Sequence, residues 1–119
     1  MVNEVVNTIM NQINWRMLKA LGFKFVQLNE KTLRIHKGRK NFDIELDEGL
    51  DLYIVKKHLI NRKDFSVKSE VKEAVFFDDL KPLIEDFFKL SKDVLRINKI
   101  ELVVKWVVLL LNIKQLTKF

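Results

Sequence analysis

The chain has no cysteine, one proline and three glycines among its 119 residues. The absence of cysteine excludes disulfide bonds, thiolate metal sites and a cysteine nucleophile, and it is compatible with a reducing compartment. The scarcity of proline and glycine, together with 48% hydrophobic residues, excludes a disordered or low-complexity chain. We therefore expect one folded domain spanning residues 1–119.

The sequence also lacks an apolar run long enough to cross a bilayer. The longest run extends from Leu102 to Leu111, is interrupted by Lys105, and stays below about 18 residues even when extended to residues 100–113. The amino-terminal sequence MVNEVVNTIMNQINW lacks the basic and uninterrupted apolar regions of a secretory signal. The expected location is the cytosol, and no membrane partner is expected.

Common catalytic motifs are missing as well. The sequence contains no GxGxxG, GxxxxGK, GxSxG or HExxH. It therefore does not match the common classes of nucleotide-binding protein, hydrolase and zinc protease that these motifs define. The two histidines, His36 and His58, are too far apart in sequence to form a local metal motif. Enzymatic activity is therefore uncertain, and a non-catalytic binding protein is favoured.

What the sequence does contain is a pair of predicted hairpins in residues 32–55, TLRIHKGRKNFDIELDEGLDLYIV. Gly38 and Arg39 suit a two-residue type II′ turn. Counting outward from this turn pairs apolar residues with apolar residues, and it sets Arg34 opposite Asp43. The first hairpin therefore has a defined register.

For the second hairpin, a three-residue loop over residues 47–49 with Gly49 in the left-handed conformation is favoured over a two-residue loop. This register sets Glu45 opposite Asp51 and Asp43 opposite Tyr53. Leu52 and Ile54 would then face the core, while Tyr53 and Val55 would lie on the polar face. The predicted polar face carries two opposed carboxylates.

Two directly opposed carboxylates repel, so this pair predicts either a bound cation or an ordinary solvated sheet face. The candidate ligands for Mg²⁺ or Mn²⁺ are Asp43, Glu45 and Asp51, and Lys57 could stabilise charge on a phosphate. Together, Asp43, Glu45, Asp51 and Lys57 are the candidate catalytic residues. Outside this hypothesis no cofactor is expected.

Residues 4–57 resemble the core of the PD-(D/E)xK nucleases, especially the archaeal Holliday-junction resolvases. The resemblance consists of Glu4 in a first helix, LKALGFKFV as helix end and strand, Asp43 in the acidic strand, and LYIVKK as the lysine-bearing strand. It implies a divalent-metal nuclease. That family has an acidic residue two positions before the lysine, whereas this chain has Val55 before Lys57, so Glu45 and Asp51 would have to substitute for it.

The remaining pattern predicts an α+β fold. An antiparallel sheet of four to five strands, with a meander over residues 23–60, is preceded by one amino-terminal helix and followed by two carboxy-terminal helices packing on the sheet. The first helix spans residues 2–21 and stops at Gly22. In the strand that follows, Val26 and Leu28 are expected to face the core, with Phe23 and Phe25 on the polar side.

Three carboxy-terminal segments complete the prediction. Residues 70–77 fit a strand or the start of a helix, and their alternation favours a strand. Asp78 or Asp79 is expected to cap a helix with Pro82 in its first turn. Residues 100–113 fit a helix better than a strand, and such an apolar helix would be buried in the domain or form a homodimer through residues 102–111.

Charge provides the main functional signal. The net charge is +6, yet residues 43–51 contain five acidic residues and no basic one, so the two signs are segregated. Lys37, Arg39 and Lys40 surround the first hairpin tip. The spacing of a second basic group predicts that its members lie on the same face of a helix. The second group is Lys89, Lys92, Arg96 and Lys99.

These features predict a small basic protein that contacts nucleic acid or an acidic protein without catalysis. Two alternatives remain open. One is a divalent-metal nuclease or phosphodiesterase, and the other is a protein-only interaction module.

Overall fold

The computed structural model describes residues 4–96, which form a five-stranded antiparallel sheet with helices packed on one face. The strands are adjacent in chain order: β1 (Lys24–Asn29), β2 (Thr32–Lys37), β3 (Lys40–Asp47), β4 (Leu52–Ile60) and β5 (Val67–Val75). The predicted α+β meander is confirmed. β5 confirms the choice of a strand for residues 70–75, although the strand begins at Val67 and ends before Phe77. The predicted helix over 100–113, its dimer segment 102–111 and Lys99 lie outside the described residues.

The predicted first helix is divided in two, α1 (Glu4–Gln12) and α2 (Trp15–Ala20). Asn14 has the left-handed conformation, with φ +56, which asparagine adopts more readily than most residues. Its side-chain Oδ1 accepts a hydrogen bond from the Met17 amide, and its Nδ2 donates to the Leu95 carbonyl at 2.9 Å. Apolar spacing continues across the break, so the periodicity does not reveal it.

The register of the first hairpin is confirmed at every predicted pair, from Lys37 opposite Lys40 to Thr32 opposite Glu45. Gly38 has φ +61 whereas Arg39 has no positive φ, which is the pattern of a type II′ turn.

The predicted register of the second hairpin is wrong. Asp47 pairs with Leu52, so the loop has four residues, 48–51, and Asp51 rather than Gly49 takes the left-handed conformation, with φ +53. Asp47 also stabilises this loop, because its Oδ1 accepts a hydrogen bond from the Gly49 amide at 3.1 Å. Glu45 therefore lies opposite Ile54.

The new register exchanges the two faces of β4. Tyr53 and Val55 are buried, whereas Leu52 and Ile54 are half-buried on the other face. The four residues 52–55 are all apolar, so alternation alone does not choose between the faces.

The two predicted faces of β1 are also exchanged, so this prediction is wrong. Phe25 pairs with Ile35 and packs against the core, while Val26 and Leu28 are exposed on the opposite face. Phe23, just before the strand, is buried.

The helices cover one face of the sheet, called here the inner face. A one-turn 3-10 helix over Phe77–Asp79 leads into α3 (Leu80–Phe88), with Pro82 in its first turn as predicted. Leu80 and Ile84 of α3 are buried, and Phe88 meets Phe23 edge to face at 4.6 Å between ring centroids. A further 3-10 turn, Val94–Arg96, follows α3.

The helices described in residues 4–96 include none that is long and apolar enough to span a membrane.

Candidate functional site

The sheet face opposite the helices, called here the outer face, carries a hydrogen-bonded polar network. Arg34 and Asp43 are cross-strand partners on β2 and β3, and His58 and Ser69 are partners on β4 and β5. The four side chains thus connect four successive strands. The Arg34–Asp43 pair is the one that the sequence predicts.

Asp43 is the centre of this network. Arg34 donates from Nε to Asp43 Oδ1 at 2.7 Å and from a terminal nitrogen to Oδ2 at 2.9 Å, which is a bidentate ion pair. His58 Nε2 lies 3.2 Å from the same Oδ2, and His58 Nδ1 lies 2.7 Å from Ser69 Oγ. The Asp43 side chain is only 6% exposed, so these partners compensate for the loss of water around its charge.

The electrostatic effect of this pairing appears on the arginine. The hydrogen bonds from Arg34 to Asp43 raise the pKa of Arg34, burial opposes this, and the Asp43 charge adds to the rise. Arg34 therefore stays charged.

An imidazole between an aspartate and a serine also occurs in hydrolases, where it activates the serine as a nucleophile. Such chemistry needs oxyanion donors and exclusion of water around the nucleophile. Ser69 instead lies in the middle of an edge strand and is exposed to solvent. The network therefore connects four adjacent strands, and its serine is open to solvent.

The predicted carboxylate site is not assembled. Glu45 lies opposite Ile54 and Asp51 is in the β3–β4 loop, so the predicted opposition of the two carboxylates is wrong. Lys57 pairs with Phe42 on the inner face, whereas Asp43 and Glu45 are on the outer face. Within residues 4–96, no three histidine, aspartate or glutamate side chains are grouped so that they could hold a metal ion.

Two of the residues predicted to bind nucleic acid at the first hairpin tip form hydrogen bonds within the protein. Lys37 Nζ donates to the Leu21 carbonyl at 2.8 Å, and Lys40 Nζ donates to the Phe87 carbonyl at 2.7 Å. Both carbonyls belong to helix carboxy-terminal ends, where a cation is favourable. Arg39, between them, is exposed.

The second predicted basic group does not share one helix face. Helix α3 ends at Phe88, and Lys89 takes the left-handed conformation, with φ +56. Lys92 is in the following turn, and Arg96 is in the 3-10 turn with its Nε 3.6 Å from Asp93 Oδ1. The single-face prediction is wrong for these three residues, and Lys99 lies outside the described range.

The meander separates the charges along the strands. One end of the sheet, called here the basic end, contains the start of β1, the β2–β3 turn and the β4–β5 loop. Its charged residues are Lys24, Lys37, Arg39, Lys40, Arg62, Lys63, Asp64 and Lys68. The opposite end, called here the acidic end, carries Glu30, Lys31, Glu45, Asp47, Glu48, Asp51, Glu73, Asp78 and Asp79.

The β4–β5 loop, residues 61–66, presents an aromatic ring at the basic end. Phe65 is 78% exposed and has φ +58, a strained conformation for a bulky residue. The Asn61 amide donates to the Ser66 carbonyl at 2.8 Å, and the Phe65 amide donates to the Asn61 carbonyl at 3.0 Å. The loop therefore has a defined shape that holds the ring outward.

Asp64 contributes to this loop rather than to a ligand site. Its Oδ1 accepts hydrogen bonds from the Ser66 amide at 3.0 Å and the Ser66 hydroxyl at 2.8 Å. The bond from the Ser66 amide, followed by that from its hydroxyl, lowers the pKa of Asp64.

A shallow cleft of about 300 Å³ adjoins the loop, and Arg39, Asn61, Ser66 and Lys68 are among its lining residues. Within the described part of the chain, the side chains of Arg39, Lys63 and Lys68 make no hydrogen bond or ion pair. The cleft can therefore accommodate an anionic group between cations.

Of these residues, only Arg39 was predicted from the sequence, whereas Phe65, Lys63 and Lys68 were not. The available signal was a polar loop, NRKD, followed directly by an aromatic residue. Its significance depends on the topology, which places this loop beside the β2–β3 turn, where the Ile60 amide donates to the Arg39 carbonyl at 2.9 Å.

Comparisons with known proteins found no matching family model, no similar curated protein and no similar solved structure. The resemblance of residues 4–57 to the PD-(D/E)xK nucleases therefore rests on the sequence features alone.

A second cleft, of about 550 Å³, lies at the acidic end between α1 and the β3–β4 loop. Tyr53 is in its lining, and the Tyr53 hydroxyl donates to Gln12 Oε1 at 2.5 Å. Burial is the main cause that raises the pKa of Tyr53, the hydrogen bond to Gln12 opposes it, and the charge of Asp51 adds to it.

We predict that Asp43→Asn lowers the free energy of unfolding by about 1–3 kcal/mol, because it removes the charged acceptor that Arg34 and His58 share. Chemical denaturation at neutral pH measures the change. Asp47→Asn is the matched control, because its Oδ1 can still accept the hydrogen bond from Gly49. Equal stability of the two variants would contradict a stabilising role for the network.

We predict that Tyr53 titrates above its ordinary pKa of about 10 in the folded protein. Tyr53 is the only tyrosine, so ultraviolet absorbance of tyrosinate follows it directly. Since the folded state holds the proton more tightly than the unfolded chain, the free energy of unfolding should fall as pH rises above about 10. A native titration that coincides with that in denaturant would refute this, and Tyr53→Phe should remove this part of the pH dependence.

Proposed function

We propose that this protein binds single-stranded nucleic acid, without catalysis, through the basic end of its sheet. The observation that carries the proposal is that the basic end presents the exposed Phe65 ring and Lys63 in one loop, next to a cleft lined by the unpaired cations Arg39 and Lys68. Cations that neutralise phosphates supply most of the affinity of such proteins, and exposed aromatic rings stack on unpaired bases. The expected place of action is the cytosol.

The arrangement of the loop favours single strands over a duplex. Bases in a duplex are stacked on one another and do not offer a face to a side chain, whereas single strands do. Phe65 is exposed at a loop tip, and the aromatic residues of the strands, Phe25, Phe42 and Tyr53, all pack on the inner face. One ring therefore carries the stacking, and the cations around it follow the backbone.

The strained backbone of Phe65 supports the same role. A left-handed conformation costs a bulky residue about 1–2 kcal/mol, and the exposed ring gains little from packing in return. Strained residues concentrate at functional sites, because there the strain serves to position a group. In this loop the strain orients the ring toward solvent.

Lys37 and Lys40 have a positioning role in this proposal. By donating to the Leu21 and Phe87 carbonyls, they connect the β2–β3 turn to the ends of α2 and α3. Arg39 between them is then presented on a rigid turn. Lys89, which directly follows α3, lies at the same end and can add to the positive potential there.

The metal-dependent nuclease hypothesis has no comparable support in residues 4–96. Its ligands Asp43, Glu45 and Asp51 are distributed over the outer face and a loop, and Lys57 is on the inner face. Including Mg²⁺ or EDTA in the binding experiment tests this hypothesis directly, because cleavage of the oligonucleotide with Mg²⁺ alone would support it.

We predict salt-sensitive binding of a fluorescent single-stranded oligonucleotide of about 15 nucleotides, measured by anisotropy between about 50 and about 200 mM salt. The triple variant Arg39→Ala, Lys63→Ala, Lys68→Ala should make the slope of log affinity against log salt less negative by about 2, if each cation contacts one phosphate. DNA and RNA strands and a duplex are titrated in parallel.

The matched control is the triple variant Lys31→Ala, Lys72→Ala, Lys81→Ala, which changes the net charge equally but lies away from the basic end. Its salt slope should stay close to that of the unchanged protein. Equal slopes for the two triple variants, or no binding at low salt, would contradict the proposed site.

We predict that Phe65→Asn weakens binding of the single strand by about 1–3 kcal/mol, which is roughly 5- to 150-fold in affinity. Asparagine tolerates the left-handed conformation, so the loop shape and the stability should be retained or improved. Leu28→Asn, an exposed apolar residue at the acidic end, is the control and should leave affinity unchanged. Unchanged affinity in Phe65→Asn would show that the ring does not stack on bases.

A further inference from the structure

The cleft at the acidic end has an apolar rim that no described residue covers. Phe76, Phe77 and Leu50 are 58%, 60% and 61% exposed, and all three line the cleft. A cluster of large exposed apolar side chains around a concave surface marks a docking site for another apolar segment. The wall on the other side is formed by α1, including Val5 and Thr8.

The charge around this cleft is negative. Glu4 and Asp51 belong to its lining, and Asp78 and Asp79 directly follow Phe77 in the chain. Its described lining includes no lysine or arginine. The surface therefore fits a partner that is apolar and carries positive charges.

The described chain ends close to this cleft. The Leu95 carbonyl accepts the hydrogen bond from Asn14, and the Leu95 amide donates to the buried Glu85 carboxylate at 3.0 Å. Asn14 follows α1 by two residues, and Gln12, the last residue of α1, lines the cleft. The described chain thus ends beside the same helix that forms one wall of the cleft.

The composition of the remaining sequence matches the cleft. Residues 100–113, IELVVKWVVLLLNI, contain only Glu101, Lys105 and Asn112 as polar residues, and Lys114 and Lys118 follow. Helix α1 has nine residues and is therefore about 13 Å long, which is much shorter than the reach of this segment.

We propose that residues 100–113 dock into the cleft of the same molecule, with apolar side chains on Phe76, Phe77 and Leu50 and Lys105 near Glu4 and Asp51. The position of Leu95 favours the same molecule over a second copy. This proposal is independent of the proposed nucleic-acid binding, because it concerns the opposite end of the sheet.

Paramagnetic NMR on the full chain tests the proposal, because the protein has no cysteine and only two tryptophans, Trp15 and Trp106. A nitroxide is attached to Thr8→Cys on the cleft wall, and the indole N–H signal of Trp106 is observed in the same ¹⁵N-labelled molecules. We expect this signal to lose most of its intensity, and to regain it when Phe77→Asp is added to the labelled variant.

Two controls make each outcome decisive. A nitroxide at Val71→Cys, exposed on the outer face, should leave the Trp106 signal intact, and loss of the signal from that position would place the segment on the wrong face. Loss of signal in a mixture of ¹⁵N-labelled unmodified chains and unlabelled nitroxide-bearing chains would show docking into a second copy. Either result, or an unaffected Trp106 signal with the Thr8→Cys label, overturns the proposal.

Discussion

The pairing of β3 with β4 determines which side chains of β4 face the core and which lie on the outer face of the sheet. With Asp47 opposite Leu52, Tyr53 and Val55 enter the core, while His58 reaches the buried Asp43 carboxylate on the outer face. The same pairing turns Lys57 to the inner face, away from the carboxylates. A slip of one residue would exchange all of these positions, so the Arg34–Asp43–His58 network and the apolar core must form together.

The second constraint is the meander itself. Because consecutive strands are antiparallel, alternate turns lie at the same end of the sheet, and the β2–β3 turn is brought beside the β4–β5 loop. The two connections at the basic end carry Arg39, Arg62 and Lys63 with one carboxylate, Asp64, whereas the other two carry Glu30, Glu48 and Asp51 with one cation, Lys31. The positive and negative residues therefore concentrate at opposite ends of the sheet, although the chain as a whole has a net charge of +6. The proposed binding of a nucleic-acid strand uses one end, and the proposed docking of residues 100–113 uses the other.

The register of the first hairpin could be predicted in full, because Gly38 defines the turn and a single register pairs apolar residues of one strand with apolar residues of the other. The second could not, because residues 52–55 are apolar at every position and the left-handed residue is Asp51 rather than the glycine. The break at Asn14 was equally hidden, since its partner Leu95 is distant in sequence. For the site, Arg39 was evident from its turn, whereas Phe65 and Lys68 gain their meaning only from neighbours that the topology supplies.

The central claim is that the basic end is the surface that contacts nucleic acid. Backbone amide chemical shifts during titration with a single-stranded oligonucleotide at low salt test it most directly, because they report each part of the sheet separately. We expect the changes to concentrate at residues 38–40 and 61–68, with little change at residues 30–32 and 47–52. Changes centred on the acidic end, or spread evenly over the sheet, would contradict it.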